Sequence, residues 1–240
     1  MRKVEEILRR AVSLLTFADR CALEEKVTNG VSHTLHEREQ QRKSILKWLI
    51  EKDYYDNLTL NEKEAMETPV NSKVNKKIYD HENDYECIEP LLWSIGLINE
   101  LHNYNEFILD DLHIPLKINR NHSLFGLKNQ CKEVKGDILQ THRELSMLWY
   151  WRCLECRNSS SDDMNYLYII RNTFGEMYSK ILENYKYFDI NRRDFVVKGK
   201  TVAELNNLEI AKLEVIAERR FYAFEWLCTD DDWDNVDLIC

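Results

Sequence analysis

At 240 residues, with a formal charge of -9, 44% hydrophobic and 31% charged side chains, the chain has enough apolar content for a packed core and a well-solvated surface, which excludes disorder over most of its length. Only 6 Gly and 3 Pro punctuate it, too few for the many tight turns of an all-β fold, so the expected class is mainly α, a single globular multi-helix domain over 1–240. The negative balance repels phosphate backbones. The densest basic clusters, Arg38 to Lys47 and Lys117 to His122, are short and broken by acids or apolar residues, so no nucleic-acid partner is expected.

In chain order, Val4, Ile7, Leu8, Ala11, Leu14, Leu15, Ala18 and Ala22 form an unbroken i, i+3, i+4 series that predicts the first helix. Gly30 interrupts. A charged second helix over Leu35 to Glu51 turns Ile45, Leu46, Trp48 and Leu49 inward and leaves Glu37, Arg38, Glu39 and Arg42 outward. Thr59 and Glu62 match a capping box and open a short helix that Pro69 ends. Residues 69–84 are polar and aperiodic, and 103–128 contain Pro115 and Gly126; both are read as connections with room for mobility. Between them a helix places Ile88, Leu91, Leu92, Ile95, Ile98 and Leu101 on one face, with Pro90 expected in its first turn; a start before Cys87 would force a kink.

After Gly136 a long helix follows on Ile138, Thr141, Leu145, Leu148, Trp149, Arg152 and Cys156. Another is expected from about Asp163 to Phe188 on Ile170, Phe174, Met177, Ile181 and Tyr185. Asp194 to Val202 is the one good strand candidate, a small β-hairpin-like insertion near residues 194–202 around Gly199. Asn206 with Glu209 is a second capping box opening the last helix, whose buried stripe is Leu213, Ile216, Ala217, Ala223, Phe224 and Leu227. Arg220 falls inside that stripe. A buried guanidinium keeps its charge, so it needs a carboxylate or carbonyls nearby, supplied by Asp231, Asp232, Asp234 or a distant Glu.

Several blocks, in order, carry a resemblance: Glu5 to Ala11, Leu58 to Glu62, Tyr85-Glu86 with Leu91 to Gly96, Asp194-Phe195 with Gly199-Lys200, and Arg220 through Trp226-Leu227 to Trp233-Asp234 and Asp237. Together they resemble the mostly bacterial family catalogued as domain of unknown function 4272. The resemblance implies a single helical domain with a small extended insertion and carries no established activity. Two departures stand out. The family pattern has Trp and Arg where this chain has Asn83 and Asp84, and Glu where it has Arg219, with Glu218 one residue early.

Glu86, Arg220, Asp232, Trp233 and Asp234 are the candidate polar cluster. One reading is a buried charge network joining the last helix to the core, with Trp226 and Trp233 packed over it. The other is a site, with Asp232 and Asp234 sharing a hard cation; the calcium-loop Gly and closing Glu are absent, so no metal is expected. Cys153 and Cys156 have the spacing of half a zinc site, but no second pair exists and core thiols are expected. His33 with His36 reads as a surface or capping pair, and His113 after Asp110 and Asp111 stands in a loop with no supporting groups.

No phosphate-binding Gly-rich loop, zinc-protease helix motif or Gly-x-Ser-x-Gly elbow occurs, and no cofactor is implied. The opening Met1 to Arg10 has no apolar run of signal length, and no segment approaches membrane-spanning length. The seven Cys are odd in number and widely spread, as expected of free thiols in a soluble cytoplasmic protein. The preferred expectation is a non-catalytic protein-binding factor, of inhibitor or immunity type, for a protein partner with a basic surface. The alternative is a hydrolase or transferase built on Glu86, Arg220, Asp232 and Asp234. No feature specifies an oligomeric state.

Overall fold

The computed structural model describes residues 2–25, 27–28, 31–72, 84–104, 107–108, 112, 116, 124–158 and 164–239. Gly30, Asn83, Asp110, Asp111, His113, Pro115 and Lys117 to His122 lie outside them, as does much of both proposed connections. The architecture is mainly α with a small antiparallel sheet.

The first helix, α1 (Val4–Ala22), turns Ile7, Leu8, Ala11, Leu14 and Leu15 inward, with Glu5 and Glu6 in its first turn and Arg20 in its last, the charge order that complements the helix dipole. Two short paired strands, β1 (Val27–Thr28) and β2 (Val31–Ser32), follow where a bare interruption was expected. The second helix, α2 (Leu35–Glu51), starts on a capping box formed by Thr34 and Glu37. A 3-10 turn at Tyr55–Asn57 leads to α3 (Leu60–Glu67), capped by Thr59 and Glu62 as the spacing predicts.

On α2 the expected outward face is partly wrong, because Arg38 and Arg42 are buried. Arg38 donates to the carbonyls of Leu23 (2.8 Å) and Glu24 (3.1 Å) just past the end of α1. Arg42 donates to those of Met66 (2.5 Å) and Glu67 (3.2 Å) at the end of α3 and grips Glu39 with two bonds. Helix-terminal carbonyls have no donors within their own helix, so a guanidinium placed there satisfies them.

The next helix, α4 (Tyr85–Ser94), begins before Cys87, so Pro90 lies inside it rather than in the first turn, and the Glu86 carbonyl loses its helical donor. It is also shorter than its apolar pattern suggests. Ile95 is buried beyond its end, while Ile98 and Leu101 lie outside any helix. Gly96 takes φ +69°, and a Cβ there would stand 2.6 Å from the Lys132 carbonyl. The freed carbonyls of Ser94 and Ile95 accept from Val134 (2.9 Å) and Lys132 (2.8 Å), which turns the chain and holds the approach to the long helix against α4.

A short helix, α5 (Leu124–Lys128), precedes α6 (Gly136–Asn158), the expected long helix, although Leu139 rather than Ile138 faces inward at its start. The following single helix is in fact two, α7 (Tyr166–Phe174) and α8 (Glu176–Glu183), divided at Gly175 with φ +108°. The break carries Met177 out to solvent at 56% exposure. The sheet runs β3 (Phe188–Asp189), β4 (Asp194–Val197), β5 (Lys200–Thr201), antiparallel, with Phe188 opposite Phe195 and Val196 opposite Thr201. The last helix, α9 (Asn207–Cys228), opens on the Asn206/Glu209 capping box.

Buried apolar residues fall into two clusters. One gathers α1, α3, α4 and the end of α9; the other gathers α7, α8, the sheet and the start of α9. Both α6 and α9 run through the two. Arg220 sits near where they meet, flanked along α9 by Ala217 and Phe221 of the second cluster and followed by Ala223 and Phe224 of the first.

Candidate functional site

Arg220 is 1% exposed. Its Nε and Nη2 approach Glu86 Oε2 at 3.4 and 3.2 Å, and Nη2 is 3.3 Å from Glu89 Oε2. Nη1 donates to the His102 carbonyl at 2.5 Å, and the guanidinium carbon lies 4.9 Å from the Tyr104 ring centre. Glu86 and Glu89 are i, i+3 neighbours on α4, so one helical face presents both carboxylates to one cation. Each carboxylate then reaches outward. Glu86 Oε1 accepts from the Ile108 N–H at 2.6 Å, and Glu89 Oε1 accepts from the His102 N–H at 2.8 Å and meets His102 Nδ1. Burial pushes the Glu86 carboxyl above the ordinary range, against the pull of Arg220 and the Ile108 N–H.

The cation therefore finds its counter-charge in Glu86 and Glu89 rather than in the closing aspartates. Trp226 and Trp233 do not cover this network. They pack edge to face, ring centres 5.2 Å apart, elsewhere in the molecule. Trp233 stands in a 3-10 turn (Trp233–Asn235), held where the Tyr222 hydroxyl donates to its carbonyl.

That turn forms one wall of a solvent-open cleft of about 770 Å³, which Asp232, Trp233 and Asp234 share with the first turns of α1 and α3. Behind it the Arg10 guanidinium lies 4.6 Å from the Trp233 ring centre and is paired with buried Glu62. Arg9 reaches the Asp53 carbonyl (2.7 Å) and Asn57 Oδ1 (3.0 Å). Arg2 covers Trp226, its guanidinium carbon 4.5 Å from the ring centre. The candidate cluster thus divides, with Glu86 and Arg220 in the interior and Asp232, Trp233 and Asp234 on the cleft.

Between the two centres, on the same α4/α9 seam, Arg219 Nη1 meets Asp84 Oδ1 at 3.1 Å. These are two of the positions at which the resemblance expects other residues, Arg at 84 and Glu at 219. The two residues, 135 apart in sequence, meet in space as an ion pair.

The family model described as Domain of unknown function (DUF4272) matches residues 1–164, well over half of the chain. The chain belongs to that family. The matched span contains Glu86 and Glu89 and ends ahead of Arg220, Asp232 and Asp234. No curated protein and no solved structure matches the chain.

The remaining candidates separate plainly. Cys153 is fully buried on α6, its thiol pushed up by burial, and Cys156 is half-buried one turn on; both are free. His33 and His36 flank Thr34, the residue that caps α2. Among the described residues no group of three or more His, Cys, Asp or Glu is placed to hold a metal ion, and no helix is long and apolar enough to cross a membrane. Sequence reasoning missed Glu89, His102, Tyr104, Arg2 and Arg10. Only Glu89 had a local signal, its place one turn from Glu86 on an otherwise apolar helix.

Proposed function

We propose that the protein is a non-catalytic, cytoplasmic protein-binding factor of the inhibitor or immunity type, presenting the cleft between α1, α3 and the 230–235 segment to a partner with a basic surface. The observation that carries this reading is how the polar groups are spent. Glu86 and Arg220, the candidates best suited to acid, base or anion-stabilising work, are 2% and 1% exposed and committed to each other. A hydrolase or transferase needs its reacting groups together at a solvent-open pocket, whereas these four are divided between interior and surface. The cleft offers what protein recognition uses, aromatic rings flanked by charged groups of both signs.

A net charge of -9 complements a basic protein and repels nucleic acid and anionic membrane surfaces. The free thiols among the described residues suit a reducing compartment. The test is affinity capture with the full chain at low and high salt, beside an Asp232→Lys/Asp234→Lys variant. The reading expects a near-stoichiometric partner that is lost at high salt and lost to the variant. A partner that the variant retains would move the interface elsewhere, and repeated empty captures would sink the reading.

A further inference from the structure

Arg38 is 4% exposed, and among the described residues no carboxylate pairs with it, whereas every other buried arginine there has one, as Arg152 has Asp194 and Arg42 has Glu39. A guanidinium keeps its charge, so burying it without a counter-ion is costly. Its hydrogen bonds are also one-sided. Both come from Nη1, to the Leu23 and Glu24 carbonyls, and Nε has no partner. The Nε and Nη2 hydrogens of a guanidinium point the same way, forming the fork that takes both oxygens of one carboxylate. Elsewhere in the molecule a side chain fills that fork. Nε and Nη2 of Arg152 reach the two Asp194 oxygens at 2.8 and 2.9 Å, and those of Arg42 reach Glu39 at 3.0 and 2.7 Å.

What Arg38 borders instead is a cavity of about 600 Å³ between the end of α1 and α2, a size that suits a small molecule. Arg38, Gln41 and Ile45 recur at steps of three and four along α2, and Asp19, Ala22 and Leu23 do the same at the end of α1, so each helix turns one face to the space. Ala22, Leu23 and Ile45 give it an apolar wall. The charges on the wall set the ligand's own. A monoanion gains the whole fork, while a dianion meets Asp19 with only one buried guanidinium to offset it.

We propose that this cavity is a binding site for a small-molecule monocarboxylate with an apolar body, the carboxylate held by Nε and Nη2 of Arg38 and the body laid against Ala22, Leu23 and Ile45. The ligand would supply the counter-charge that the fold provides to the other buried arginines. The site shares no residue with the cleft at Asp232 and Asp234, so it stands apart from the protein-binding reading.

The experiment titrates the full chain with three probes, 4-methylpentanoate, 4-methylpentanamide and inorganic phosphate, and follows the Arg38 Nε–H and Ile45 methyl resonances. The carboxylate should shift both and bind about tenfold more tightly than the amide, which keeps the body and lacks the charge, and more tightly than phosphate. Arg38→Lys cannot form the fork and should weaken the carboxylate about tenfold, read on the Ile45 methyls. Gln41→Glu, at an exposed position on the same helix face, sets a competing carboxylate beside Arg38 and should weaken it by a similar factor; it serves if Arg38→Lys fails to fold. No shift with the carboxylate, equal affinity for acid and amide, or full affinity in Gln41→Glu would each overturn the site. Phosphate bound as tightly as the carboxylate would overturn the monocarboxylate assignment.

Discussion

The molecule places arginines against carboxylates and aromatic rings in two ways, and the contrast lies in water. At the centre Arg220 is enclosed with Glu86, Glu89 and the Tyr104 ring where the two apolar clusters join. At the cleft Arg2, its side chain 11% exposed, lies on Trp226 beside Glu6, whose side chain is 44% exposed. The ingredients are alike. In the interior the ions have no solvent to fall back on, so each must keep its partner and the network holds α4 to α9. At the cleft water reaches the Glu6 end of the contact set, so that ion pair is weakened by salt while the stacked guanidinium stays largely covered. The first arrangement ties two helices through the core, and the second ties the residue before α1 to the end of α9 at the edge of the fold.

The largest expected effect breaks the interior side of that contrast. Arg220→Met leaves Glu86 and Glu89 buried without their cation and should cost about 3 to 5 kcal/mol in urea unfolding. Replacing all three by apolar residues of matching volume should recover most of it, because the loss comes from stranded charge more than from a missing attraction. A mild Arg220→Met would mean that solvent reaches the network.

Next in size is an acid limb. His142 packs between Trp93 and Phe224, ring centres 4.4 and 5.9 Å away, and burial lowers its pKa from 6.5 to about 4. The folded chain therefore binds this proton less readily than the unfolded chain. Stability present above about pH 6.5 is lost as pH falls toward 4, by roughly 3 kcal/mol at about 1.4 kcal/mol for each pH unit between them. His142→Phe should flatten that limb in denaturation midpoints measured from pH 4 to 7. An unchanged slope would place the imidazole in contact with water.

The seam between the two regions gives an intermediate test. Asp84 and Arg219 are 9% and 23% exposed as side chains, so reversing either charge alone should cost about 2 kcal/mol, and the double reversal Asp84→Arg/Arg219→Glu should return within about 1 kcal/mol of the starting stability. Additive costs would show that the pair is not coupled.

How far the sequence foretold these features depends on where each partner lies. The α1 and α9 stripes and the Thr59/Glu62 and Asn206/Glu209 caps were legible because their partners lie within four residues. That Arg220 requires a counter-charge was legible too, but its identity was not, since 134 residues separate it from Glu86 and nothing in local spacing encodes that distance. Arg38 and Arg42 misled for a related reason. Charge reads as an outward face, yet both satisfy helix-end carbonyls. Gly96 and Gly175 ended helices whose apolar pattern ran on, because positive φ overrides periodicity. The Asp230 to Asp234 run announced itself, while the α1 wall it faces did not.

A smaller effect sharpens the interior side. Glu86→Gln keeps the shape and leaves Arg220 with Glu89, so the expected cost near neutral pH is about 1 to 2 kcal/mol, well below that of Arg220→Met. Its pH dependence carries the information. Burial raises the folded-state pKa of Glu86, so its contribution is complete below the ordinary carboxylate range and shrinks as pH rises through the folded value. The substituted chain lacks that titration, and its deficit should be larger at pH 5 than at pH 8. A deficit growing with pH would mean that the ionised carboxylate is the favoured buried form.

The smallest effect belongs to the cleft. Arg2→Ala removes one stacking contact and hydrogen bonds to two carbonyls and a half-exposed carboxylate from a side chain that is itself 11% exposed, and should lower stability by about 1 kcal/mol, with only the Glu6 share of that loss diminishing at high salt. Read by thermal denaturation at two ionic strengths, a loss approaching that of Arg220→Met would show Arg2 to be an interior tie.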